Sequence, residues 1–257
     1  VYAAAIGQPF KSNSERGLFK STDGGKNWKK ILFISDKIGI VDVEFSPENP
    51  DIIYAASWEV DRKPWTIISG SKDGGIYKSI DAGESWIKLS KGLPNGNIGK
   101  IDLAVTPADP QRLYALIEAD QGEGGVYLSH DKGSQFKAMS HRKELVNRPF
   151  YYCNIYANPN NSAIVYSNAN RFMVSNDAGK SWKIKNTPHG DNHDIWINPI
   201  DDNIWIQSND GGVNITFNSG ESWTTQFNQP TAEIYQVEVD QQFPYWLYGG
   251  QQDNYST

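Results

Sequence analysis

Four times along the chain, two short apolar runs flank a proline. Val43 and Phe45 precede Pro47 and Ile52 to Ala55 follow it; Leu103 and Val105 precede Pro107, with Leu113 to Ala115 after. Tyr156 and Ala157 precede Pro159, with Ile164 to Tyr166 after, and Ile195 to Ile197 precede Pro199, with Ile204 to Ile206 after. Runs this short, bounded by turn residues and rich in β-branched and aromatic side chains, predict buried strands joined by proline-containing turns. A Gly-Gly-x-Tyr segment (Gly74 to Tyr77, Gly124 to Tyr127) then opens a third strand, which runs into an eight-residue pattern, S-x-D-x-G-x-x-W. The pattern is complete at Ser21, Asp23, Gly25, Trp28, again at Ser79, Asp81, Gly83, Trp86, and again at Ser175, Asp177, Gly179, Trp182. Ser129, Asp131, Gly133 and Phe136 keep it with Phe for Trp, and Thr216, Asn218, Gly220 and Trp223 keep it with Thr for Ser and Asn for Asp. A fourth strand begins at each aromatic. No stretch has a competing helical period.

Four antiparallel strands per recurring unit predict an all-β fold, a β-propeller of four-stranded blades with strands A to D counted from the centre outward. Residues 1–34 supply B, C and D of one blade. Complete blades are expected at about 38–90, 97–139, 150–186 and 192–228, and residues 233–257 supply A and B of another. One all-β domain of this length is ordinary. The chain opens inside a strand and leaves its first and last blades incomplete, so the expectation is a portion of a longer protein.

Within the eight-residue pattern, Asp or Asn is expected to fold back onto main-chain N–H groups two residues on, with Gly supplying a positive φ and the aromatic packing against a neighbour. The pattern resembles the Asp-box of BNR-repeat propellers, and the resemblance runs the length of the chain. It implies a structural role on the C–D hairpins for Asp23, Asp81, Asp131, Asp177 and Asn218 and for Trp28, Trp86, Phe136, Trp182 and Trp223.

Charge and composition narrow the partners. A net charge of −6 without a Lys/Arg cluster argues against nucleic acid. No apolar run approaches membrane-spanning length. Cys153 is the single cysteine, so no intrachain disulfide forms. Asn160, Asn214 and Asn254 open N-x-[ST] sequons, a weak signal in an Asn-rich chain.

Strand direction places the corner turns (C to D) and the proline turns (A to B) on one face, and the D–A and B–C loops on the other. Residues 58–70, 140–152, 188–193, 209–212 and 251–254 gather there, and function is expected among them. His189, Asp191 and His193 share one side of an extended segment and so could ligate a transition metal; the alternative is hydrogen bonding to neighbouring loops. No other cofactor is implied. Asp42, Asp102, Asn154 and Asp194 each lie five residues before a proline, with Gln236 in the similar place of the last unit. That puts one polar residue per blade on the innermost strand, either to hold a cation or sugar hydroxyls or, the favoured reading, to cap backbone groups. Asp210, Asp253 and Asp191 are candidate catalytic carboxylates for glycoside hydrolysis, which needs two carboxyl groups roughly 5 to 9.5 Å apart. Trp58, Arg62, Trp65, Tyr151 and Tyr152 are candidate ligand contacts with His189 and His193, since exposed aromatics stack on sugars or grip peptides.

Two further resemblances bear on function. Pro149 to Tyr152, His189 to Asp194, Asn209 to Val213 and Tyr248 to Asn254 look like segments of exported bacterial proteins with sortilin-like, glycosyl-hydrolase-like propeller repeats. More distantly, the Asp210-Gly211-Gly212 loop is similar to the loop that carries a catalytic Asp in two-propeller xyloglucan endoglucanases, though one residue shorter. Sialidases share the corner motif but need three arginines around a carboxylate, and Arg16, Arg62, Arg112, Arg142, Arg148 and Arg171 have no such setting. These resemblances imply an extracellular, cell-surface or periplasmic protein, and the rim aromatics beside an incomplete catalytic set point to a module that binds a glycan, a peptide or other domains of a larger exported protein. The alternative is a glycoside hydrolase with paired carboxylates.

Overall fold

A computed structural model describes residues 1–229 and 232–253; Asn254 and its sequon lie outside the described residues. The chain forms a succession of antiparallel sheets, a partial β-propeller. The first sheet holds β1 (Tyr2–Ala5), β2 (Gly17–Lys20) and β3 (Lys29–Leu32). The second holds β4 (Ile38–Phe45), β5 (Ile53–Lys63), β6 (Thr66–Ser69), β7 (Ile76–Ser79) and β8 (Ile87–Leu89), with β6 pairing only the extended end of β5. The third holds β9 (Ile98–Val105), β10 (Leu113–Ala119), β11 (Gly125–Ser129) and β12 (Phe136–Ser140). The fourth holds β13 (Asn154–Ala157), β14 (Val165–Asn168), β15 (Met173–Ser175) and β16 (Lys183–Ile184). The fifth holds β17 (Asn192–Ile197), β18 (Trp205–Asn209) and β19 (Gly212–Thr216), and β20 (Ile234–Val239) pairs with β21 (Leu247–Gln251). No helix among the described residues is long and apolar enough to cross a membrane.

The fifth sheet departs from the expected four strands. Its outer strand shrinks to Thr224, whose N–H donates to Ile215 O at 2.9 Å and whose hydroxyl accepts the Ile215 N–H at 3.0 Å.

The eight-residue corners fold alike. In each, the Ser or Thr oxygen accepts the N–H of the Gly four residues on at 2.8 Å, and the Asp or Asn oxygen accepts the N–H four residues on at 2.8 to 2.9 Å. The reach of the Asp is thus four residues, not two; the shorter span belongs to the Ser oxygen, which takes the Asp N–H. The residue before the Gly also has a positive φ in every corner, from 55° at Lys132 to 75° at Gly24. Its N–H leaves the turn and, in four corners, donates to a carbonyl of the proline turn of the same sheet: Ala82 to Asp51, Lys132 to Gln111, Ala178 to Ala163, Ser219 to Asn203. These bonds hold corners and proline turns on one rim. Hydrogen bonds from Asn27, Ser85 and Ser181, the residues four positions on, hold the carboxyls of Asp23, Asp81 and Asp177 down to about 2.

Both faces of the inner strands are apolar, so the core lies between sheets. Leu113 to Ile117 are all buried, as are Ile53 to Trp58. Tyr54, Tyr114 and Tyr166, the same position in three sheets, each fill the gap to the next sheet. The polar residues of the innermost strands serve main chain. Asp42 Oδ1 accepts its neighbour Val43 N–H at 2.7 Å and Oδ2 accepts Leu103 N–H of the third sheet at 2.8 Å. Asp102 accepts Ile155 N–H of the fourth sheet at 2.7 Å. Burial raises the carboxyls of both, and burial with the nearby Asp42 pushes Glu44 up to about 8.

Replacing Ser175, whose buried oxygen serves Asp177 and Gly179 N–H, with Ala is expected to cost ~1–2 kcal/mol in a urea titration, because a buried N–H loses its acceptor; Lys180→Ala on the same turn stays within about 0.5 kcal/mol.

Glu44 gives a pH test. The folded protein keeps the Glu44 proton up to about pH 8, whereas the unfolded chain releases it near its ordinary value of about 4.3. Between these limits the folded state binds more protons, so stability falls as pH rises. Melting temperatures from pH 5 to pH 9 are expected to decline less in Glu44→Gln than in the parent.

Candidate functional site

The rim opposite the corners carries two clusters. In the first, the loop Asp210-Gly211-Gly212 joins β18 to β19 over a cavity of about 350 Å³ whose other walls are Ala232, Glu233 and Gln251 to Asp253. Main-chain geometry requires the glycine at 212, where φ is 127°. A buried amide network carries this loop. Asn209 Nδ2 donates to Gln207 Oε1 and Asn214 Oδ1, both at 2.9 Å. Gln226 Nε2 donates to Asn209 Oδ1 and Asn214 Oδ1, both at 2.7 Å, and Asn209 Oδ1 takes Gly211 N–H at 3.0 Å. Each Asn or Gln supplies both donors and acceptors, so a closed set can be buried without orphaned groups. Asn214 is fully buried within it, which removes its sequon from consideration as a glycan acceptor.

His193, on β17, reaches across to Asp210, with Nε2 to Oδ1 at 2.7 Å. Its main-chain carbonyl accepts Asn154 Nδ2 from the innermost strand of the fourth sheet at 2.7 Å. His189 Nε2 instead meets the carbonyl of Asp253, a residue of the cavity wall, at 2.8 Å. Asp191, at φ 48°, turns its side chain to Tyr152 and Asn170 at 3.2 and 2.6 Å and to Arg148 at 3.8 Å. His189, Asp191 and His193 thus each engage a different partner, the hydrogen-bonding alternative to a metal triad. The β-bulge between Asn192 and Asp194 and the left-handed turn at Asp191 break the period-two alternation that would have aligned them. Among the described residues no group of three or more His, Cys, Asp or Glu side chains is arranged to hold a metal ion. Asp210 and Asp253 do share the cavity, while Asp191 stands outside it.

The second cluster is a wider cleft of about 670 Å³ lined by Phe10, Arg62, Lys63, Pro64, Trp65, Thr66, Ile67 and Phe150. Trp65 is 80% exposed and sits at the tip of the β5–β6 hairpin; Phe10 is 58% exposed on the opposing loop. Tyr151 lies beside Phe150 at 5.0 Å between ring centroids, with the Arg148 guanidinium 4.8 Å over its face. Trp58 and Tyr152, expected on this rim, are buried. Trp58 falls inside β5, where its Nε1–H donates to Ser69 Oγ at 2.8 Å and Ser69 donates to Glu118 at 2.6 Å, locking the hairpin base to the third sheet. Tyr152 packs in the core between the third and fourth sheets with only its hydroxyl reaching Asp191.

Arg16, which no motif singles out, makes the cleft. It is 1% exposed, and its guanidinium donates to the carbonyls of Lys37 (2.6 Å), Gln8 (3.0 Å), Lys11 (3.5 Å) and Val60 (3.0 Å). It thereby ties the Phe10 loop to the Trp65 hairpin, which Arg62 N–H reinforces through Pro9 O at 2.7 Å. Burial lowers its pKa against the fields of Glu59, Asp61 and Asp36. An acceptor-only carbonyl cluster leaves no sequence pattern, so nothing in the chain announced it.

Comparison with known proteins agrees with the architecture. No protein-family profile matches the chain. A xyloglucanase from Paenibacillus sp is 25% identical over 177 residues, covering 63% of this chain and 16% of that protein. Among solved structures, the GH74 xyloglucanase from Xanthomonas campestris superposes with a TM-score of 0.67 at 15% identity, over 99% of this chain and 41% of that one. YCF48 from Cyanidioschyzon merolae superposes at 0.52 and 12% identity, over 90% of this chain and 70% of that one. The chain thus spans less than half the length of either xyloglucanase, and the structural likeness, at these identities, is one of fold.

Arg16→Ala is expected to destabilise the protein by about 3 kcal/mol or more in urea titration, since it strips four carbonyls of a buried donor. Arg16→Lys is expected to recover little of that loss, because one ammonium cannot span the fork of contacts.

Proposed function

We propose that this chain is part of an exported Asp-box propeller protein and that it binds a glycan along the rim opposite the corners. The observation that carries this reading is the cleft between Phe10 and Trp65. A buried arginine without a carboxylate in contact is costly, yet Arg16 is kept there to tie together two loops that carry exposed aromatic faces. Rigid aromatic faces with a few flanking polar groups suit the apolar faces of sugar rings. The resemblance to xyloglucanases supports a carbohydrate as the ligand, and the sortilin-like segments support export.

A second reading, glycoside hydrolysis, has its own support. Asp210, Glu233 and Asp253 line one cavity, and Asp210 is oriented by His193 in the way a reacting carboxylate is usually steadied. Binding is preferred because the aromatic cleft is held by structure on both walls, whereas Asp191 lies outside the Asp210 cavity and the Asp253 carbonyl is bound by His189.

Isothermal titration of the purified chain with xyloglucan oligosaccharides, and with other plant and bacterial glycans, tests both. Binding is expected to weaken about tenfold or more in Trp65→Ala, within the range of one lost aromatic contact, and to survive Asp210→Asn. Hydrolysis abolished by Asp210→Asn overturns the preference for binding; affinity indifferent to Trp65→Ala overturns the cleft.

A further inference from the structure

The face of the fifth sheet turned away from the fourth is apolar and uncovered. Trp196 is 53% exposed, Ile206 40% and Val213 44%. The β20–β21 hairpin is equally bare, with Tyr235 70%, Val237 55% and Leu247 64% exposed. Its root is already tied to the fifth sheet's rim through His189 and Asp253.

Register identifies which positions correspond. The first two strands of each later sheet pair Val43 with Ala55, Leu103 with Ala115, Ile155 with Ser167, Ile195 with Gln207 and Val237 with Gly249, each pair twelve residues apart. By this alignment one contact recurs between successive sheets. Tyr54 clusters with Leu103 and Leu113, Tyr114 with Ile155 and Val165, Tyr166 with Ile195 and Trp205. The next members of the series are Ile206 with Val237 and Leu247. All three are exposed large apolar side chains.

The polar contact recurs as well. Asp42 holds its own next N–H with Oδ1 and the N–H of Leu103, in the following sheet, with Oδ2. Asp102 holds the corresponding Ile155 N–H. Asp194 repeats the first half, accepting Ile195 N–H on Oδ1 at 2.7 Å, and also meets the Tyr156 hydroxyl. The donor that completes the pattern is Val237 N–H.

We infer that the open face of the fifth sheet is a docking surface for the chain's own β20–β21 hairpin, and that Asp194 latches it by accepting the N–H of Val237. Ile206 and Trp196 take Val237 and Leu247 as Tyr54 takes Leu103 and Leu113. Two uncovered apolar faces joined by a short tether bury each other without the entropy cost of recruiting a second molecule. The inference is independent of the glycan reading.

The test uses the whole chain carrying Ile206→Cys and Leu247→Cys, treated with a short bifunctional thiol reagent. Cys153 is buried, with its thiol pushed up to about 12, and stays out of the reaction. The expected product is a monomeric internal cross-link, formed at least fivefold faster than in an Ile206→Cys/Phe243→Cys control whose second thiol sits at the hairpin turn. Cross-links found only between molecules assign the face to a second copy and overturn the inference; so does a rate equal to the control. For the latch, Asp194→Ala is expected to speed amide exchange at Val237 about tenfold while Leu103, held by Asp42, keeps its rate. An unchanged Val237 rate with Leu103 still protected shows a folded protein without the latch and overturns that part.

Discussion

The structure depends on a requirement that no sheet meets alone. A four-stranded sheet whose inner strands are apolar on both faces must find a neighbour on each side. The chain meets this by repetition, placing one large residue (Tyr54, Tyr114, Tyr166) at the same point of successive sheets. A tyrosine serves because its ring fills the gap and its hydroxyl still reaches a polar group at the edge. Tyr54 donates to the carbonyl of Lys132 and Tyr114 to that of Ser162, both in the next sheet. Tyr2, from the first sheet, does the same to the carbonyl of Ala82. The apolar column therefore ends at each corner rim in a hydrogen bond, so burial and register are set together.

That arrangement commits one rim entirely. The corner N–H groups serve their own Ser and Asp, the positive-φ residues serve the proline turns, and several corner carbonyls receive Tyr or Lys from the preceding sheet. Little is left there to meet a ligand. The opposite rim has no such repeat. Its loops differ in length from sheet to sheet and are held by single-use devices: Arg16 under the aromatic cleft, the Trp58–Ser69–Glu118 chain at the hairpin base, and the buried amides under Asp210. Loops on a rigid scaffold are where specificity is usually placed.

This division also explains what was readable in advance. Corners and inner strands repeat, so their pattern stands out against the rest of the chain, and with it came the sheet order and which turns share a rim. The single-use devices do not repeat. Arg16 binds only main chain, and Asn192, Gln207, Asn209, Asn214 and Gln226 bind one another and nearby main chain, in ways that spacing does not encode. Trp58 and Tyr152 stand at the start and the end of expected loops, but β5 runs on to Lys63 and the segment before β13 packs inward. Period two pairs His189 with His193 along the sequence, and a bulge separates them. The fourth strand of the fifth sheet was expected from Trp223, whose indole instead donates to Asn186 O, unlike the three other corner tryptophans, which close on their own turn.

The innermost column shows why the choice between Asp and Asn matters. Asp42 takes two N–H groups there and Asp102 one, at the cost of burial that raises the pKa of both. Asn154 occupies the same column with an amide, and the direction of the contact reverses: it donates, to the carbonyl of His193, rather than accepting from the next sheet. Ile195 N–H is then left to Asp194 within its own strand. The exchange links the column to the rim, because the residue whose carbonyl Asn154 holds is the one whose ring steadies Asp210. A carboxylate at 154 would compete for Ile195 N–H and leave the His193 carbonyl without that donor. The amide in the column and the position of the rim carboxylate are thus coupled through a single residue.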